Sequence, residues 1–255
     1  MTTRVVRRNI RLLVINPNSS HDMTHGMETA IRSMDLPDSV EITMYTALQE
    51  SPASINDDKD IRASTEVVWA NLEATGLLKD YDGVLIACYS KHTLVEQIQA
   101  RLPGLPVTGI FEASVLASLP LVRPGRGWGI VTTGKFWEAH LADAIESFLG
   151  AGSGGSFLGV QSTGLVAGDF HGDVPPEVIQ AKLKAATKRL LAKGQPDCIL
   201  MGCGGMAGLE EVIRTAVREE LGEQAAKDVY VVDGVRAGVG VIEQMVRNKR
   251  MFQVS

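Results

Sequence analysis

The sequence predicts an α/β protein built as two similar halves, each with a four-stranded, mainly parallel sheet. Three observations lead there. Short β-branched runs alternate with longer stretches of helical spacing. The 255 residues are 45% hydrophobic and 22% charged, enough apolar material for a large buried core. The residues that end the strand candidates recur at a nearly constant offset.

Taken in order, the first strands are expected at residues 10–15, 40–45, 83–87 and 107–110, and a second set at 127–132, 157–161, 198–201 and 229–232. Between strands, a segment such as 176–193 sets Ile179, Leu183, Ala186 and Leu190 on one helical face, with Pro175 and Pro176 suited to its first turn. The Gly/Ser-rich stretch 150–155 reads as a mobile connection. Thr132 lies 116 positions after Asn16, and Cys203 lies 115 after Cys88, each residue following a strand candidate. The later pair Gly109 and Gly234 is 125 apart, as if the second half carried about ten extra residues around 221–227. Two Rossmann- or flavodoxin-like halves facing each other across a cleft are therefore expected.

Composition excludes several classes. Disorder is excluded as the main state, and three cysteines, an odd number, argue against a disulfide framework and for a reducing compartment. A formal charge of -5 gives no broad basic field, so a nucleic-acid partner is not expected. No apolar run reaches the roughly 18–20 residues of a membrane span. Arg4, Arg7, Arg8 and Arg11 read as a frayed basic terminus, a weak transit signal being the alternative. The expectation is a soluble, cytoplasmic protein that acts on a small molecule.

Ligands of open parallel sheets bind at the carboxyl ends of the strands, and that is where Cys88 and Cys203 fall. Cys88 precedes Tyr89-Ser90-Lys91-His92-Thr93, whose Ser and Thr are suitable helix caps; Cys203 precedes Gly204 and Gly205, which let backbone N–H groups approach a ligand. Each thiol is expected beside a positive helix end, which lowers its pKa toward neutrality. Two such groups in pseudo-equivalent walls suit proton removal from one face of a carbon and delivery to the other. Inert packing is the ordinary fate of a free cysteine and is the reading for Cys198, inside a strand candidate. No close Cys/His spacing points to a metal.

The turns at Asn16-Pro17-Asn18-Ser19-Ser20 and Thr132-Thr133-Gly134-Lys135 offer polar side chains and backbone donors for a carboxylate or a small ring amide. A plain capped turn is the alternative for both. Candidate binding residues are Asn16, Ser20, Tyr89, Ser90, Thr132, Thr133, Gly134, Gly204 and Gly205, with Cys88 and Cys203 as the catalytic pair. His92 either tunes Cys88 or faces solvent, the latter being the simpler reading. Glu112 and Asp233 either bond a ligand N–H or are acidic helix starts. Phe170 and His171 either belong to a lid or decorate a loop tip.

These residues resemble the Asp/Glu/hydantoin racemase superfamily, nearest its hydantoin and allantoin racemase branch. The resemblance spans nearly the whole chain. It rests on Leu13-Val14-Ile15-Asn16-Pro17-Asn18-Ser19-Ser20, the first cysteine loop, Pro106-Val107-Thr108-Gly109-Ile110-Phe111-Glu112-Ala113, Thr132-Thr133-Gly134 and Gly202-Cys203-Gly204-Gly205-Met206-Ala207-Gly208. It implies a cofactor-independent two-base isomerase, with Cys88 and Cys203 matching the catalytic pair, and a homo-oligomer. It also implies that the last helix packs back on the first half, giving units 1–113 plus 235–255 and 114–234. The implied reaction is racemisation or epimerisation of a 5-substituted hydantoin, allantoin or related cyclic amide. Alternatives are a cysteine-dependent isomerase or decarboxylase of a small dicarboxylic acid, and a metabolite-binding homologue. Bacterial hydantoin racemases tend to carry Gly-Asp-Pro shortly after the first cysteine. Here Ser90-Lys91-His92 follows Tyr89, which is more like a fungal branch and leaves the substrate open.

Overall fold

The computed structural model describes residues 9–150 and 156–253. The first half runs β1 (Ile10–Asn16), α1 (His21–Arg32), β2 (Val40–Thr46), α2 (Asp58–Thr75), β3 (Gly83–Ile86), α3 (Thr93–Arg101), β4 (Val107–Gly109) and α4 (Ile110–Ser118). The second runs β5 (Gly127–Thr132), α5 (Phe136–Leu149), β6 (Phe157–Ser162), α6 (Pro176–Leu191), β7 (Pro196–Gly202), α7 (Glu210–Leu221), α8 (Glu223–Ala226), β8 (Tyr230–Asp233) and α9 (Gly234–Phe252). The extra length at 221–227 is the short helix α8. Arg4, Arg7, Arg8 and residues 151–155 of the Gly/Ser stretch lie outside the described residues. Arg11 is inside β1, with its N–H donating to Asp82 at 2.9 Å, and so is no part of a frayed end.

The two sheets have the same strand order, β2-β1-β3-β4 and β6-β5-β7-β8, and every neighbouring pair is parallel. This repeat of topology is the physical basis of the constant sequence offset. Beyond β3 the Ala87 N–H donates to Ile15 O at 2.8 Å, while Thr132 pairs with Gly202. Cys88 and Cys203 are thus each one residue past the partner of a central-strand end.

Side-chain alternation makes the layers. Leu13, Ile15, Val84 and Ile86 face outward into a core shared with α2 and α3, whereas Leu12, Val14 and Leu85 face the middle of the molecule. In the second sheet Val131, Ile199 and Met201 pack under α6 and α7, and Ile130, Cys198 and Leu200 face the middle. Both faces of each sheet are covered, as parallel sheets require. Cys198 is fully buried in that central core, consistent with packing.

The fourth strand of each half sends its helix toward the other sheet. Helix α4 packs on α9 and reaches β7 and β8, while α9 packs chiefly on α4, β3 and α1 and also touches β1 and β4. Gly238 lets α9 approach closely: a Cβ there would lie 2.7 Å from Leu85 and 3.0 Å from Ile110. The expected division between residues 113 and 114 falls inside α4. Among the described residues, no helix is long and apolar enough to cross a membrane.

The connection from α4 to β5 is held by Asp197, a carboxylate with no solvent exposure at the start of β7. It accepts from the Arg123 backbone and guanidinium at 2.7–2.9 Å and from Arg126 Nε at 2.8 Å. The guanidinium groups hold its carboxyl well below the usual range. Asp197→Ala strips four donors of their acceptor, and denaturant titration should show a loss of about 2–3 kcal/mol.

Candidate active site

The first wall is built on the turn that leaves β1. Asn16 is fully buried, and its Nδ2 lies 2.9 Å from Asn18 Oδ1, 3.1 Å from Ser20 O and 3.0 Å from Thr24 Oγ1. The Ser20 N–H also donates to Asn18 Oδ1 at 2.9 Å. With its oxygen engaged twice, the Asn18 side chain is left with its N–H donors uncommitted beyond a 3.3 Å contact to Met23 sulfur, and the residue lines a cavity. Asn16 itself does not line it; it holds Asn18 in place. Ser20 caps α1, accepting from Met23 N at 3.2 Å.

The second wall follows β5 and β7. Thr132 is buried and spends its hydroxyl on Gly202 O at 2.7 Å, so it ties the strands and leaves the cavity to Thr133. Gly134 opens the turn into α5 without lining the cavity, and Trp137, one turn on, does line it. Cys88, Tyr89, Cys203, Gly204 and Gly205 complete the expected set that the structure brings together. Tyr89 presents its ring, because its hydroxyl bonds Ser114 Oγ at 2.8 Å. Ser90 stands behind Cys88, with Oγ 3.5 Å from the sulfur.

The two halves meet at the cysteine loops. A Cβ on Gly204 would lie 2.9 Å from the Ala87 carbonyl and 2.7 Å from Met27 Cε, so glycine here permits the close approach of the walls. Cys88 and Cys203 both line the resulting cavity, whose volume is about 30 Å³, and a negative charge on Cys203 would oppose one on Cys88.

The thiols are not lowered toward neutrality. Burial pushes Cys88 up to about 12, against the pull of the Ser90 hydroxyl, and pushes Cys203 up to about 11. Two physical reasons correct the expectation. Helix α3 starts at Thr93, so Cys88 is not beside a helix end, and Cys203 caps only the three-residue 3-10 turn Gly204–Met206. Cys203 still has the better anion site, since Gly205 N–H donates to its sulfur at 3.3 Å.

His92 faces neither solvent nor the cavity. It is buried at the start of α3, where Nδ1 accepts from Leu94 N at 3.3 Å and Nε2 lies 3.1 Å from Ser64 Oγ. That pattern assigns the proton to Nε2. Asp233 caps α9, accepting from Val235 N at 2.7 Å and Arg236 N at 3.0 Å. Glu112 sits in the first turn of α4, folded over Gly109, and burial raises its carboxyl to about 7. Neither acid lines the cavity. Phe170 packs into the outer core of the second half, and His171 lies against Gly26 and Gly205.

Sequence reasoning passed over Asn18, Met23, Met27, Ile55, Trp137 and Ala167 as wall residues. Met23 and Met27 carried a usable signal, one face of α1 at i and i+4, as did Trp137, one turn after Gly134. Ile55 and Ala167 come from irregular segments and carried none.

The buried His92 has a pH consequence. Desolvation lowers its pKa from 6.5 to about 3, so between those values the unfolded chain binds a proton that the folded chain refuses. Stability is therefore full above pH 6.5 and is lost as pH falls. Unfolding titrations at pH 6.5 and pH 5 should differ by about 2 kcal/mol from this residue, and His92→Asn, which keeps a capping group, should remove that part.

Comparison with known proteins accords with this geometry. The family described as Asp/Glu/Hydantoin racemase matches residues 12–242. An uncharacterized protein of Schizosaccharomyces pombe is 32% identical over 238 residues, covering 93% of this chain and 92% of that protein. A hydantoin racemase of Pseudomonas sp. is 30% identical over 238 residues, with 93% and 86% covered. Among solved structures, an allantoin racemase from Klebsiella pneumoniae superposes with a TM-score of 0.75 at 26% identity, covering 94% of this chain and 88% of that one. With the family match over most of the chain and the matched fold, the chain belongs to the Asp/Glu/hydantoin racemase family of isomerases.

Proposed function

We propose that the protein is a cofactor-independent racemase of a small, neutral cyclic amide of the hydantoin or allantoin type, with Cys88 and Cys203 as its two acid/base groups. One observation carries the reading: both cysteines line a cavity whose described lining residues include no Asp, Glu, Lys, Arg or His. A free amino acid or a dicarboxylate would lose its hydration there without an ionic partner. A hydantoin ring is neutral. The hydantoin racemase and allantoin racemase relatives support the same substrate class. The uncharged walls disfavour the dicarboxylate isomerase and decarboxylase alternatives. In this reading the enzyme is homo-oligomeric, as the family resemblance implies, and cytoplasmic, as the odd number of cysteines suggests.

The ring C–H lies beside a carbonyl, so its removal leaves an enolate rather than a localised carbanion. One cysteine, as thiolate, takes the proton from one face. The other, as thiol, gives its proton to the opposite face, and the two sulfurs exchange protonation states with each turnover. Asn18 Nδ2 and the Thr133 hydroxyl are the neutral donors available to the developing oxyanion. Cys203 is the easier thiolate, because the Gly205 N–H is aimed at its sulfur and Cys88 has only a hydroxyl neighbour.

This chemistry governs both the response to substitution and the pH profile. Chiral chromatography with single enantiomers of 5-substituted hydantoins should show racemisation falling about 10²–10⁴-fold in Cys88→Ser and in Cys203→Ser. Each variant should still exchange the ring hydrogen of one enantiomer, and the two variants should favour opposite enantiomers. Full racemisation by either variant would refute the pair. The pH profile is the second: with both thiols pushed up to about 11 and 12, kcat/KM should climb through pH 7–9 without a plateau. A plateau below pH 8 would mean that burial does not govern the base.

A further inference from the structure

The cavity between the cysteines is narrow, about 30 Å³, and residues of both halves line it. Movement of its wall would widen the slot for a five-membered ring. Two wall residues, Ile55 in a loop of the first half and Ala167 in a 3-10 turn of the second, lie in segments joined by side chains.

The 3-10 turn Ala167–His171 belongs to the second half and starts after Val166, which has no polar side chain to cap it. Its first two N–H groups are capped from the first half. Ala167 N donates to Asn56 Oδ1 at 3.3 Å, and Gly168 N donates to Ser54 Oγ at 3.1 Å. The Ser54 hydroxyl in turn donates to Asn56 Oδ1 at 3.2 Å, closing a ring of bonds around the two donors. Asn56 N donates to Asp60 Oδ2 at 2.9 Å, which fixes the first-half loop to α2. At the far end of the turn, His171 Cε1 lies 2.8 Å from where a Gly26 Cβ would stand, so α1 offers a glycine seat for the ring.

We infer that Ser54 and Asn56 are positioning residues that latch the turn Ala167–His171 as a strap over the cavity, and that unlatching admits substrate. The inference rests on the reading that this cavity is the reaction site. The donors at the start of a turn near the surface trade a protein acceptor for water at small net cost, so the latch opens without disturbing the sheets. When it closes, Ile55 and Ala167 return to the wall and water is kept from the carbanion. Ser54 and Asn56 act through those two residues and do not themselves line the cavity.

The test uses the full chain and reads alkylation of Cys88 and Cys203 by iodoacetamide, site by site, through peptide mass. It does not depend on knowing the substrate. Ser54→Ala with Asn56→Leu should alkylate at least tenfold faster than the wild type at an unchanged melting temperature, and the Ala167 and Gly168 amides should exchange faster. Asn56→Asp keeps the acceptor and should return the wild-type rate. With a hydantoin that turns over, the double variant should lose kcat more than it changes KM.

A crosslink provides the converse. A Cβ on Gly168 would lie 3.7 Å from Ser54 Cβ, within disulfide range, and Gly168 is not in the left-handed region. Ser54→Cys with Gly168→Cys, once oxidised, should protect Cys88 and Cys203 from alkylation at least tenfold, and reductant should reverse the protection. Wild-type alkylation rates in the Ala/Leu variant, or unprotected thiols in the crosslinked one, would overturn the latch. Normal latch behaviour without turnover of any cyclic amide would instead count against the racemase reading alone.

Discussion

The exchange of α4 and α9 between the two halves sets the geometry of everything at the cleft. Each half sends the helix after its fourth strand toward the other sheet, and the central core contains Leu85 and Ile110 from one half together with Ile130 and Leu200 from the other. Neither sheet can cover its inner face alone. The carboxyl ends of the central strands are thereby brought together, close enough for Gly204 to rest against the Ala87 carbonyl. Short loops starting directly at the ends of packed strands then carry the thiols, and rigid carriers give catalytic groups their precision.

Closeness of the walls also determines the electrostatics. The same burial that excludes water raises both thiols by roughly 3–4 kcal/mol in the cost of forming a thiolate. A thiolate formed there is scarce but strongly basic. Such a base suits a weakly acidic C–H on a neutral ring, and the uncharged lining suits the ring itself. Binding and basicity thus draw on one cause, desolvation in a narrow, uncharged slot.

Much of this was legible in the sequence because periodicity and repetition are local properties. Alternation in β1 and β3, the helical face of α6 and the offset between Cys88 and Cys203 all survive folding unchanged. Thiol acidity was not legible, since it depends on how far α3 starts from Cys88 and on how tightly the halves close. Neither was the division of labour within the turns. Asn16 and Thr132 head their motifs but are consumed by bonds to Asn18 and Gly202, so the cavity receives the neighbours Asn18 and Thr133. His92 showed the same limit, because only tertiary packing on Ser64 decides that it is buried.

Racemisation by Cys88 and Cys203 requires two bases acting from opposite faces. The most direct measurement is to convert one enantiomer of a hydantoin substrate in deuterated water and analyse both enantiomers at early times, with the uncatalysed exchange subtracted. Two cysteines predict a product enantiomer carrying one deuterium while the recovered starting enantiomer remains protiated. Deuterium entering the starting enantiomer as fast as the product would mean a single base serving both faces, and would contradict the assignment of Cys88 and Cys203.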